Sequence, residues 1–123
     1  MADKSLLELL RLIVITDPDL SAPVGLMNIV EATLEAGAGM IQLRDKNSSP
    51  KKLLELATTI LPLTRSAGAL LIINDRLDVA LAAKADGVHL GPDDATVAQV
   101  RNLVPDNFII GYSTDDPLQG KEA

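Results

Sequence analysis

Short, nearly unbroken apolar runs alternate with longer stretches in which apolar residues return every three or four positions. The runs fall at residues 12–15, 40–43, 70–73, 87–90 and 108–112. Residues 70–73, with two isoleucines, show the pattern of a strand buried on both faces, and the other runs read as strands beside it. The stretches between them read as helices. Ser5, with Glu8 three residues on, caps a short leucine-rich helix over 5–10 that is expected to lie across the bottom of the core. Residues 23–36 form a helix with Pro23 in its first turn, Leu26, Ile29, Val30 and Leu34 on one face and Gly37 as its stop. Ser49 and Pro50 start the next, which carries Leu53, Leu54, Leu56, Ala57 and Ile60, bends at Pro62 and ends at Ala67-Gly68. Leu77, Ala80, Leu81 and Lys84 set a helix over 76–83, and Val97, Val100 and Leu103 one over 96–103. Asp116-Pro117 starts another.

The resulting order, βαβαβαβαβ, demands parallel strands joined by right-handed crossovers. No Asn-Gly type hairpin signal lies between strands. Each unit has about the length of one (β/α) unit of a TIM barrel, and the chain holds about the first five of the eight strands such a barrel needs. The expected fold is therefore α/β, a single domain over residues 1–123, an incomplete barrel; an open five-stranded sheet is the alternative.

Composition narrows the function. Hydrophobic residues make up 47% of the chain and aromatics only 2%, so the core is aliphatic. With no cysteine there is no disulfide framework, thiolate metal site or thiol nucleophile, which fits a cytoplasmic protein. A net charge of −6 without a basic run argues against nucleic acid. No apolar stretch is long enough to span a membrane, and the amino terminus lacks the features of a signal peptide.

Parallel strands bring their carboxyl ends to one rim, where α/β proteins build their sites. Strand one brings Thr16 and Asp17, strand two Gln42, Arg44 and Lys46, strand three Asn74 and Asp75, strand four His89, Asp93 and Asp94, and strand five Ser113 and Thr114. Cations opposite several carboxylates suit a phosphorylated ligand and a hard metal ion. Mg²⁺ takes one or two carboxylates and completes its shell with phosphate oxygens and water; Arg and Lys meet the remaining charge. Taken singly, each group has a plainer role. Asp75 and Asp94 read as helix caps, Arg44 and Lys46 as a solvated loop pair around Asp45, and His89 as a hydrogen-bonded structural residue. Convergence on one rim carries the functional reading.

The motifs Ile15-Thr16-Asp17, IQLRDK at 41–46, LIIND at 71–75, DVALAAKADGVHLG ending at Gly91, Asp93-Asp94 and IIGYST at 109–114 resemble the thiamine phosphate synthase family. That family is a (β/α)8 barrel joining an aminopyrimidine methyl diphosphate to a thiazole phosphate with release of diphosphate. The resemblance implies that Gln42, Arg44, Lys46, Asn74 and Ser113 bind the pyrimidine diphosphate and that Asp75 and Asp94 ligate Mg²⁺. His89 lines the same region. The chemistry needs charge neutralisation on a leaving group and no strong nucleophile. Pro92, Tyr112 and Asp115 depart from the family pattern, and the lysine and glycine-rich thiazole phosphate site of its later strands have no counterpart here. The chain is therefore expected to hold one half-site, to be inactive alone, and to form homo-oligomers through exposed strand edges. The alternatives are a non-enzymatic truncated phosphate- and metal-binding module, and a protein similar to the related thiazole tautomerase.

Overall fold

The computed structural model describes residues 5–21 and 25–123. In order the elements are α1 (Leu6–Leu9), β1 (Ile13–Ile15), α2 (Pro18–Ser21), α3 (Leu26–Glu35), β2 (Met40–Leu43), α4 (Pro50–Ala67), β3 (Leu70–Asn74), α5 (Leu77–Ala83), β4 (Gly87–Leu90), α6 (Val97–Arg101), β5 (Ile109–Tyr112) and α7 (Pro117–Glu122). All five strands read from the pattern are present. The helices differ at their ends. The expected start of the second helix at Pro23 lies outside the described residues, α6 is shorter than its apolar spacing suggests, and α2 was not expected.

Local chemistry explains most boundaries. Ser49 Oγ accepts from Lys52 N, Pro50 fills the first helical position, and Gly68 closes α4 in the left-handed conformation at φ 69. Pro62 stands exposed inside α4, which runs through it as one helix. Thr96 and Gln99 form a reciprocal capping box at α6. Lys84, expected on a helical face, instead ends α5 with φ 59.

The strands form one parallel sheet in the order β1-β2-β3-β4-β5. A doubly wound sheet reverses direction at a switch point; this one never does, and β1 and β5 remain its edges. Right-handed crossovers in one direction place the helices on one face. The core shows which face. Its strand members are Ile41, Leu43, Leu71, Ile73, Val88 and Leu90, packed with Val30, Leu53, Ala57, Ile60, Val79, Ala80 and Val100 from the helices. With a side-chain period of two, the other face carries the remaining positions in rows. One row holds Ile15, Gln42, Ile72, Gly87 and Ile109; the next toward the carboxyl end holds Asn74, His89 and Gly111.

Close backbone approach fixes two glycines. A Cβ on Gly87 would lie 2.2 Å from Ile109 O, so β4 and β5 meet there only without a side chain. A Cβ on Gly39 would lie 2.3 Å from Leu9 O, because α1 rests on the turn leading into β2. The amino-terminal helix thus lies at the amino-terminal end of the sheet as expected, but of its leucines only Leu9 is buried, while Leu6, Leu7 and Leu10 stay exposed.

Candidate functional site

Every strand leaves the sheet at the same end, so the side chains anticipated from the sequence gather there. Gln42 is buried at the end of β2, and Asn74 Nδ2 donates to its Oε1 at 2.9 Å. An amide with a fixed acceptor cannot rotate freely, so the faces that Asn74 and Gln42 turn outward are set in advance. Just beyond the ends of the same two strands, Lys46 Nζ donates to Asp75 Oδ2 at 2.6 Å.

Each of those loops is held locally. Arg44 N donates to Thr16 Oγ1 at 3.0 Å, which ties the end of β2 to the end of β1. Asp45 accepts from Asn47 N, Ser48 N and Ser48 Oγ, and so folds the loop that presents Lys46. The hydroxyl of Ser48, above all, holds the Asp45 carboxyl below the usual carboxylate range. Asp75 sits at φ 63, a left-handed conformation, and its N–H donates to His89 O at 2.8 Å. The bend turns its carboxylate toward Lys46. The capping roles considered for Asp75 and Asp94 are not observed: Arg76 and Thr96 are the N-cap residues, and Asp94 Oδ2 accepts from Gly91 N at 2.7 Å, closing the loop after β4.

His89 Nε2 lies 2.6 Å from Ser113 Oγ, which bridges β4 to the residue just beyond β5. Burial pushes the imidazole below its ordinary value, and the Asp75 carboxylate pulls the other way. Arg44 is half-buried, and among the described residues its guanidinium has no hydrogen-bond or ion-pair partner. A half-buried guanidinium that makes no ion pair can take an anion through its fork of N–H donors, although Asp17, Asp19 and Asp45 line the same hollow. A cavity of about 200 Å³ opens between Lys46, Asn74 and Asp75, and a second of about 200 Å³ between Asp17, Arg44 and Lys46. A larger hollow of about 490 Å³ lies at the opposite end of the sheet, by Leu70, Asp86 and Ile109. The convergent polar groups, more than volume, make the rim the candidate site.

For a divalent ion the rim offers two carboxylates, Asp75 and Asp94, on loops that follow neighbouring strands. Among the described residues no group of three or more His, Cys, Asp and Glu side chains is placed to hold a metal. The donors are hard oxygens and few, which suits an ion that takes most of its shell from ligand phosphate and water.

The comparisons with known proteins decide the family. The family model for thiamine monophosphate synthase matches residues 12–123. The chain belongs to that family. The thiamine-phosphate synthase of Chlorobium luteolum is 52% identical over 103 residues, spanning 84% of this chain and 47% of that protein. That of Roseiflexus castenholzii is 46% identical over 110 residues, spanning 89% and 48%. The solved thiamine phosphate pyrophosphorylase from Pyrococcus furiosus superposes with a TM-score of 0.87 at 40% identity, covering 96% of this chain and 56% of that one. The chain thus spans about half the length of the curated synthases it matches.

Two contributors were not anticipated from the synthase motifs. Asp45 lies inside IQLRDK, yet its task is to fold the loop rather than to face a ligand. Its spacing to Ser48, an acid followed by small polar residues, is a turn signal. Gly111 interrupts β5, and a glycine inside a strand marks close approach by another group. Here that group is the His89 ring.

Proposed function

We propose that this rim binds the diphosphate of an aminopyrimidine methyl diphosphate, and that the chain forms the corresponding part of a thiamine phosphate synthase whose sheet closes as a (β/α)8 barrel. The observation that carries the reading is Arg44, half-buried and without a side-chain partner among the described residues, standing beside a Lys46–Asp75 pair drawn from two different loops.

The residues divide the work by charge. Arg44 and Lys46 face the diphosphate; Gln42 and Asn74, held to each other, contact the same substrate, and Ser113 offers a hydroxyl near its reacting end. Asp75 and Asp94 would hold Mg²⁺, which when bound supplies further neutralisation of the leaving diphosphate. In the reaction the carbon–oxygen bond between the pyrimidine methylene and the diphosphate breaks, and diphosphate keeps the electron pair. The thiazole nitrogen then gives its lone pair to the methylene carbon. Such a path asks the protein for preorganised positive charge at the leaving group and for no nucleophile of its own. No helix among the described residues is long and apolar enough to cross a membrane, and a cysteine-free chain suits the cytoplasm.

A second reading, a binding module without turnover, is favoured by one observation: β1 and β5 are both open edges of the described sheet, so the rim forms an arc. A tautomerase-like role ranks lower because the cationic and acidic groups suited to diphosphate and metal are all present.

Calorimetric titration of this chain with the pyrimidine diphosphate, with and without Mg²⁺, tests the proposal. Binding that needs the metal is expected, and metal-independent binding or none would overturn it. Addition of thiazole phosphate then separates the two readings. Bound substrate that is not converted to thiamine phosphate marks the module; product marks the synthase.

A further inference from the structure

We infer that His89 is a positioning residue: its Nε2–H donates to Ser113 Oγ and thereby aims the serine's own hydroxyl proton into the rim, and Gly111 leaves the room that lets the ring do so. The consequence for ligand binding rests on the reading of the rim given above, whereas the geometry does not.

His89 and Gly111 are direct partners in the β4–β5 register, on the face turned away from the helices. A Cβ on Gly111 would lie 2.4 Å from His89 Nδ1, 3.1 Å from Cε1 and 3.3 Å from Cγ. The imidazole therefore lies against the backbone of β5, in space that any side chain at 111 would fill. Gly111 has no positive φ, so space and not backbone conformation is what demands glycine. Two residues further along, on the same face, Ser113 meets Nε2 at 2.6 Å. Its backbone is fixed as well, since Ser113 N donates to Leu90 O at 3.0 Å. His89 O in turn accepts from Asp75 N at 2.8 Å. One residue thus spans from the Asp75 bend to the end of β5.

The direction of the hydrogen bond decides what Ser113 can do. A hydroxyl has one proton and two lone pairs. If it gave its proton to Nε2, only lone pairs would face the site, and an anion would be repelled. If Nε2–H is the donor, the serine proton remains for a phosphate oxygen. Nδ1 faces the Gly111 backbone and has no hydrogen-bond partner among the described residues; Nε2 can donate to or accept from Ser113 Oγ, but the tautomer in which it accepts leaves an Nδ1–H donor against the backbone with no acceptor, which favours the proton on Nε2.

His89 is the only histidine in the chain, so its ring nitrogens can be read without ambiguity. A long-range ¹H–¹⁵N spectrum of the full chain at neutral to mildly basic pH is expected to show the Nε2–H tautomer. Ser113→Ala should move the Nε2 resonance and leave the fold intact. The Nδ1–H tautomer, or an Nε2 signal indifferent to Ser113→Ala, overturns the inference. Gly111→Ala should displace the ring and abolish the response to Ser113→Ala; should that variant not fold, the wild-type tautomer and Ser113→Ala alone decide.

Binding of inorganic diphosphate with Mg²⁺ gives the second arm. His89→Leu and Ser113→Ala are each expected to weaken it by about tenfold, the double variant by no more than either single one, and His89→Gln to restore most of the loss. Fully additive losses would show that the two side chains act apart and would sink the positioning role. If wild-type chain binds no diphosphate, the reading of the rim fails, and the tautomer spectrum still decides the hydrogen bond.

Discussion

Lys46 Nζ stands 2.6 Å from Asp75 Oδ2, although the two residues leave the ends of different strands and are 29 positions apart in the chain. Each offsets the other's charge. The pair is partly open to water, with side-chain exposures of 56% and 25%, so it contributes on the order of 0–1 kcal/mol to stability. Lys46→Met is therefore expected to change the urea midpoint little and to weaken diphosphate binding by about tenfold or more. A large stability loss with unchanged binding would assign Lys46 to the scaffold instead.

Gly87→Ala should be strongly destabilising. The new Cβ would sit 2.2 Å from Ile109 O and 2.8 Å from Ile109 C, and backbone inside a parallel sheet cannot yield as a flexible side chain can. A loss of about 3 kcal/mol or more is expected in chemical denaturation. Gly120→Ala, whose Cβ would only approach Thr114 Cγ2 at 3.4 Å, is the matched control and should be close to neutral.

The His89 imidazole is held below its ordinary value near 6.5 by burial, against the opposing pull of Asp75. Between the folded and unfolded values the unfolded chain binds more protons, so stability rises with pH there. The contribution is fully present above about 6.5 and is lost as pH falls through the folded value. An NMR titration of the single histidine should give a midpoint below 6.5, and Asp75→Asn, by removing the opposing charge, should lower it further. A midpoint above 6.5 would mean that the carboxylate outweighs burial.

β1 is an edge strand with an apolar surface: Ile13 is 41% and Ile15 55% exposed, and Leu12, just before the strand, 45%. Such an edge is a template for pairing with another strand. Dimers or larger assemblies are expected in sedimentation at high concentration, and Ile15→Lys should shift them toward monomer. A wild-type chain that stays monomeric throughout would show that the edge is protected in another way.

Much of the fold was legible because its signals are local. Five apolar runs gave five strands, and Ser49-Pro50 with Gly68 bounded the longest helix, since capping and left-handed turns depend on a few neighbouring residues. The ends of shorter helices were less legible. The spacing of Leu103 with Val100 extends the pattern of α6, yet the helix stops at Arg101, and Leu103 is 69% exposed. Periodicity alone does not say which apolar residues find a partner.

The order of elements by itself fixed that the strands are parallel, that their carboxyl ends share one rim, and that Gln42, Arg44, Lys46, Asn74, Asp75, Asp94 and Ser113 lie near it, because each stands in the last residues of a strand or shortly after one. It could not fix who touches whom. That Asp75 bonds to Lys46 and does not cap a helix, that Asp94 closes its own loop, and that Gly111 makes room for His89 all depend on register and on a left-handed bend. Those are distances between segments far apart along the chain, and only the folded arrangement of strands sets them.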